Sequence, residues 1–352
     1  LDTEFLIYAL DRGYAGRDFL PKGEVETLFR RLRSISGSMT TAEFHERIDA
    51  ALIEVSDNHL SSRLNGASSK LREHQSKAGH VGKNVYVGDK EKPWFVEMLR
   101  FKSKSILVVS IVGFPPHESQ VWKGFLETVE SLLPKADAAI LDFRGNGGGD
   151  DTMGLELAWL FFGRDFRYPY ARQYERQTPE TCALLANTAG FKIAYKKTVG
   201  EKPEDFFFTR YSARLERFKQ ALRTAADGYS QESLDLMSSN RRPARPLTQF
   251  KKPILILMDA ECASSCESTI DGFEFHPMTK KIGERTAGYI HFGNVSPVLL
   301  PKSRVLVQIP THYSEYADRR FLEKTGLAPD LALSSGEDAF EAALKLLKVP
   351  RR

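Results

Sequence analysis

The sequence predicts an α/β fold, on three observations. Residues 105–114 (SILVVSIVGF), 138–143 (AAILDF) and 253–258 (PILILM) are short, near-continuous apolar runs, the pattern of strands buried on both faces of a parallel sheet. The second and third are followed by clusters of small residues, RGNGGG after Phe143 and ASS after Cys262. Between the first two runs, Trp122, Phe125, Leu126, Val129, Leu132 and Leu133 recur at helical spacing, which makes a strand, helix, strand unit with a right-handed crossover.

The remaining elements follow in order. Over residues 2–64 apolar side chains recur at helical spacing (Val25, Leu28, Phe29, Leu32, then Phe44, Ile48, Leu52), with Thr41 ahead of Glu43 and Glu46 as a start signal, so residues 1–80 are read as a helical N-terminal region. The stretch up to residue 104 is Lys- and Gly-rich with short apolar pieces such as residues 84–87, too irregular for a separate domain of PDZ size. Residues 153–162 are read as a helix after the glycine loop. Residues 168–246 are charged, rich in aromatics and lack a buried-strand signature, which predicts an inserted helical arm or lid; most of Phe206, Phe207, Phe208, Tyr211 and Phe218 are expected to pack on the core. Strand candidates follow the third run at residues 281–283, 294–300 and 304–309, and residues 335–347 are read as a closing helix with Ala339, Phe340, Ala343, Leu344 and Leu347 on one face. The α/β core is thus expected over residues 81–167 and 247–352.

Composition narrows the functional classes. With 41% hydrophobic and 27% charged residues, a chain of 352 residues can bury an ample core. Fifty Lys plus Arg against 46 Asp plus Glu leave a formal charge of +4, too small and dispersed for a nucleic-acid footprint. Cys182, Cys262 and Cys266 form no CxxC pair, and no His cluster has zinc spacing, so neither a disulfide framework nor a metal site is expected. No apolar run reaches the 18 or so residues of a membrane span. The chain opens at Leu1, which permits a removed targeting segment.

Two loops could carry chemistry. Residues 257–267 (LMDAECASSCE) place small residues at a strand-to-helix junction, where a serine can serve as a nucleophile with the Ser265 N–H as an oxyanion donor, or where Ser264 or Ser265 simply caps the helix. Residues 142–149 (DFRGNGGG) can be an oxyanion loop, a tight strand-to-helix turn or a phosphate cradle, the last disfavoured by the absence of GxGxxG or GK[ST].

Together the loops are more specific than either alone. A strand running into DFRGNGGG, a second about 120 positions later running into ASSCE, and then GERTAG at residues 283–288 resembles the C-terminal-processing (tail-specific or tricorn-like) serine proteases, peptidase family S41, whose motifs are DLRxNxGG, ASxSE and GExTxG. The resemblance spans roughly residues 105–330 apart from the insertion. It implies a ClpP/crotonase-like α/β core and Ser264 as nucleophile, with Cys266 at the family's second serine. It also implies an oxyanion hole from Ser265 and from Gly147 or Gly148, while Asp142 and Arg144 fix the loop. Where the Lys-base branches carry their lysine, directly after GExTxG, this chain has Tyr289, and Lys280 and Lys281 come too early to replace it. The tricorn-like branch instead uses a histidine from an upstream DGHT-like stretch, here residues 56–61 (SDNHLS), which makes His59 the base. It also places an orienting carboxylate just before GxxPD, here Glu323 before residues 326–330 (GLAPD).

The resemblance therefore implies a Ser264, His59, Glu323 triad hydrolysing protein or peptide substrates through an acyl-enzyme, without cofactor or metal. The peptide would lie extended along a sheet edge. Tyr289 and His291 are expected at the substrate site, His291 also being the rival base. The family habit implies export, periplasmic or secreted. Two other readings stand beside this one: a non-proteolytic binding module or pseudo-enzyme on the same fold, like the retinoid-binding modules, and a hydrolase of small esters or amides.

Overall fold

The three apolar runs become neighbouring strands of one sheet. The structure, a computed structural model, describes residues 1–75, 79–84, 93–114, 120–163, 170–198, 206–224, 229–232 and 249–348. The chain divides into two compact units, one of Leu1–Ser76, Tyr170–Ser233 and His291–Lys324, the other of Lys77–Pro169, Leu234–Ile290 and Thr325–Arg352.

The second unit holds a six-stranded sheet in the order Leu331–Ala332, Thr279–Gly283, Ile254–Met258, Ala138–Asp142, Lys104–Ile111, Trp94–Phe101. All pairings are parallel except the last, Trp94–Phe101 against Lys104–Ile111, an edge strand hidden in sequence by its mixed, half-exposed pattern. Ala138–Asp142 and Ile254–Met258 are buried along their whole length, as strands covered on both faces must be. On one face Ile106, Val108, Ile140, Leu255 and Leu257 pack against Ala343, Leu344 and Leu347 of the closing helix Ala339–Lys348. Asp142 pairs with Leu257 and Met258 with Gly283, so the loops leaving these strands emerge side by side at the carboxyl ends of the parallel strands, where open α/β sheets bind ligands.

The first unit is built from the N-terminal helices Asp2–Gly13, Glu24–Ser34 and Thr41–Ile53, the helices Pro179–Thr198 and Phe206–Ala221, and two small antiparallel sheets. The cap of Thr41–Ile53 is Thr40 rather than Thr41, in a reciprocal capping box with Glu43. One sheet pairs Ser61–Arg63, Leu306–Ile309 and Ser296–Leu299; the other pairs Tyr229–Glu232, Tyr170–Arg176, His312–Tyr316 and Phe292–Gly293. The domain division therefore differs from the one read in sequence. The inserted segment is not wholly helical, because Tyr170–Arg176 (YARQYER) is a strand with a polar sequence. The strands over 296–309 join the N-terminal helices, where Val298, Val307 and Ile309 bury against Leu6, Leu10, Leu32 and Leu52. Tyr211 and Phe218 are buried, Phe218 against Leu185 and Ala186, which is core packing rather than a lid face. Residues 85–87 lie outside the described residues, and so do the side chains of Phe206, Phe207 and Phe208.

Within the second unit a buried ion pair ties the glycine loop to distant segments. The Arg144 guanidinium donates to both Asp142 carboxylate oxygens, at 2.9 and 2.7 Å, and to Val81 O and Asp338 Oδ2, each at 3.1 Å. Removing one partner leaves the other charge buried without compensation. Arg144→Ala is expected to destabilise this unit by about 3–5 kcal/mol, read as a lower urea midpoint at unchanged slope.

Candidate active site

Ser264 closes the turn after strand Ile254–Met258 and stands at the N-cap of helix Ser265–Gly272. An ordinary N-cap serine is extended; Ser264 has φ 56° and ψ −119°. A non-glycine residue in that region is strained by roughly 1–3 kcal/mol and persists only where its surroundings hold it. The holding group is Glu267, fully buried, whose carboxylate accepts from Ser264 N (3.0 Å), Gly288 N (2.8 Å), Tyr289 N (2.7 Å) and the Thr286 hydroxyl. One carboxylate thus fastens the ASSCE turn to the GERTAG loop. Burial pushes its pKa up to about 7, against the lowering pull of these donors.

The glycine loop lies against the same turn. A Cβ on Gly148 would come within 2.7 Å of Ala263 O and 3.0 Å of both Ser264 Cβ and Ser265 N, so only glycine permits this approach. Asn146, fully buried, organises the loop: its amide donates to Ile111 O (3.0 Å), its side-chain oxygen accepts from Gly148 N (2.9 Å), and its carbonyl accepts from Ala263 N (3.1 Å). The Gly148 N–H is engaged by Asn146, whereas the Gly147 N–H has no acceptor among the described residues. The Ser265 hydroxyl is spent on Gly149 O at 2.8 Å. Tyr289 is half-buried and reaches the cluster through its backbone. Cys262 and Cys266 are buried free thiols, pushed above the ordinary thiol range by burial.

In the first unit, His59 and Glu323 come together. With Asp57 they offer ligand-type atoms within 4.8 Å of one another. Glu323, 3% exposed, accepts from Asn58 N (2.9 Å) and His291 N (2.8 Å), and Asp57 accepts from His59 N (2.8 Å), Leu60 N (3.2 Å) and the buried Tyr14 hydroxyl (2.8 Å). Burial, with a smaller contribution from nearby His312, pushes the His59 imidazole down to about 3, so it is neutral at physiological pH. The same donor set suits a divalent cation. His291 is 0% exposed, with Nδ1 on Ser314 O and Nε2 accepting from Leu322 N, both at 2.8 Å. Sequence reasoning missed Glu267, Asn146 and Asp57. Their weight comes from burial and converging backbone donors, and the only hint was their place inside the motifs.

These features match known proteins. The model of peptidase family S41 covers residues 105–333, and the chain belongs to that family. It is a peptidase in class, acting on protein or peptide substrates. Among curated proteins no sequence matches. The structure is similar to mature CPAF (12% identity, TM-score 0.60, covering 99% of this chain and 95% of that one). It is also similar to a candidate peptidase from Parabacteroides merdae (14%, 0.59, 99% and 96%) and to a lipoprotein from Streptococcus agalactiae (14%, 0.52, 99% and 95%). At such identities the likeness is one of fold. No helix among the described residues is long and apolar enough to cross a membrane.

The raised pKa of Glu267 makes a signed prediction. Its proton is held more tightly folded than unfolded, so its contribution favours the folded state below the ordinary carboxylate value and is lost as pH rises through about 7. Between pH 5 and 8 the wild type should lose on the order of 3 kcal/mol more stability than Glu267→Gln, measured by denaturant unfolding at each pH.

Proposed function

We propose that this S41 peptidase is a serine endopeptidase of the histidine-base branch, with Ser264 as nucleophile, His59 as base and Glu323 orienting the base. The observation that carries the reading is the backbone of Ser264. A residue that only capped a helix would take the extended conformation, whereas φ 56° and ψ −119° is what a strand-to-helix turn needs to lift a hydroxyl clear of the chain. The pairing of His59 with Glu323 and the engagement of both His291 ring nitrogens support His59 as the base. A binding module would have no use for a serine held under strain by a buried carboxylate.

In this mechanism Ser264 Oγ attacks the scissile carbonyl carbon while its proton passes to His59. The developing oxyanion takes hydrogen bonds from the Ser265 N–H and the glycine loop. His59 then returns the proton to the leaving amine as the C–N bond breaks, leaving an acyl-serine that water, deprotonated by His59, hydrolyses. Glu323 keeps the imidazole in the required orientation. Tyr289, standing where other branches carry a lysine, would contact the substrate beside the Glu267 cluster. Family habit extends the proposal to an exported protein, checked by fractionating the source cells.

Hydrolysis of casein and of a fluorogenic peptide library tests the assignment. Ser264→Ala and His59→Ala should each lose at least about a thousandfold in kcat, the double variant should be no slower than either, and a fluorophosphonate should label wild type but not Ser264→Ala. Wild-type turnover in Ser264→Ala would overturn it. If the carboxylates at His59 serve orientation, EDTA leaves the rate unchanged; a rate lost to EDTA and restored by a divalent cation would instead make Asp57, His59 and Glu323 a metal site.

A further inference from the structure

His291 has no role in the mechanism above, yet both of its ring nitrogens are hydrogen-bonded to backbone groups. It grips three successive residues. Its ring stacks on Phe321 at 4.7 Å between centroids and 12° between planes, its Nε2 accepts from Leu322 N at 2.8 Å, and its backbone N–H donates to Glu323 Oε2 at 2.8 Å. The residue is itself fixed from strand His312–Tyr316. Ser314 O accepts from Nδ1 at 2.8 Å, Ser314 N donates to His291 O at 2.7 Å, and Tyr313 also stacks on the ring at 5.6 Å and 18°. Tyr313 in turn lies flat on Phe19 at 4.4 Å and 9°.

We propose that His291 is a positioning residue for Glu323, holding residues 321–323 so that this carboxylate stays beside His59. The inference rests on the reading of His59 and Glu323 as base and orienter. The tautomer follows from the partners: a nitrogen that accepts from a backbone N–H carries no proton, so Nδ1 carries it and donates to Ser314 O. Burial pushes the pKa of the ring down to about 4, so this neutral form persists at physiological pH. A residue that merely filled the core would need neither nitrogen. Here both are spent on backbone groups, one in a strand and one in the loop that ends in Glu323. The second Glu323 oxygen accepts from Asn58 N, next to His59, so the line of contact runs from Ser314 through His291 and Glu323 to the base's own loop. A displacement of about 1 Å in such a line can cost about a hundredfold in rate.

The test is a double-mutant cycle on the full chain, with a fluorogenic peptide as substrate. His291→Phe keeps the ring stack and loses both nitrogen bonds. It should lower kcat about tenfold to a hundredfold with KM within about twofold of wild type. His291→Gln, whose amide oxygen can replace Nε2 as acceptor for Leu322 N, should recover part of that loss. Because His291 acts through Glu323, the double variant His291→Phe/Glu323→Gln should be no slower than Glu323→Gln alone. If His291→Phe shows no cooperative thermal transition, His291→Gln replaces it in the cycle. Wild-type kcat in the His291 variant, losses that multiply in the double variant, or a rise in KM alone would each overturn the proposal. Wild-type rates in Glu323→Gln would instead overturn the triad reading on which it rests.

Discussion

Much of the second unit hangs on one buried carboxylate. Glu267 gathers donors from Ser264, Thr286, Gly288 and Tyr289, two loops that leave neighbouring strands with no sequence proximity to unite them. Its desolvation is costly, and the donors offset that cost only if each stays in place, so the cluster forms as a whole or not at all. The strained turn at Ser264 is therefore a property of the cluster and not of the serine. Thr286 extends the constraint, since its hydroxyl accepts from Leu327 N and its carbonyl lies so close to Gly326 that no side chain fits there.

The first unit solves its problem in the same way. Asp57 and Glu323 accept backbone N–H groups from the loop that carries His59, so carboxylates fix loop backbone in both units. A carboxylate has two oxygens and several lone pairs, which lets one side chain tie together segments far apart in sequence. This explains why loops without regular structure can still hold functional groups to a fixed geometry.

The buried sheet was legible because covering a strand on both faces demands an unbroken apolar run, as in residues 138–143 and 253–258. The small sheets were not. Tyr170–Arg176 presents alternating charges and tyrosines, Phe292–Gly293 is two residues long, and nothing local tells that residues 296–309 belong with the N-terminal helices. At the site, motif order pointed to Ser264, His59 and Glu323, with His291 as the rival base. The partners of the His291 ring nitrogens, one in a strand and one in the loop before Glu323, are tertiary properties that no local pattern announces. Glu267 and Asn146 sat inside recognised motifs, but a sequence does not count the donors that converge on an atom.

The Arg144 contacts reach far along the chain. Asp338, one of its acceptors, stands just ahead of helix Ala339–Lys348, which supplies Ala343, Leu344 and Leu347 to the face of the sheet that the helix covers. The arginine that steadies the glycine loop thus gains part of its support from a segment 194 positions later, so the loop is set only once both ends of that span have folded together.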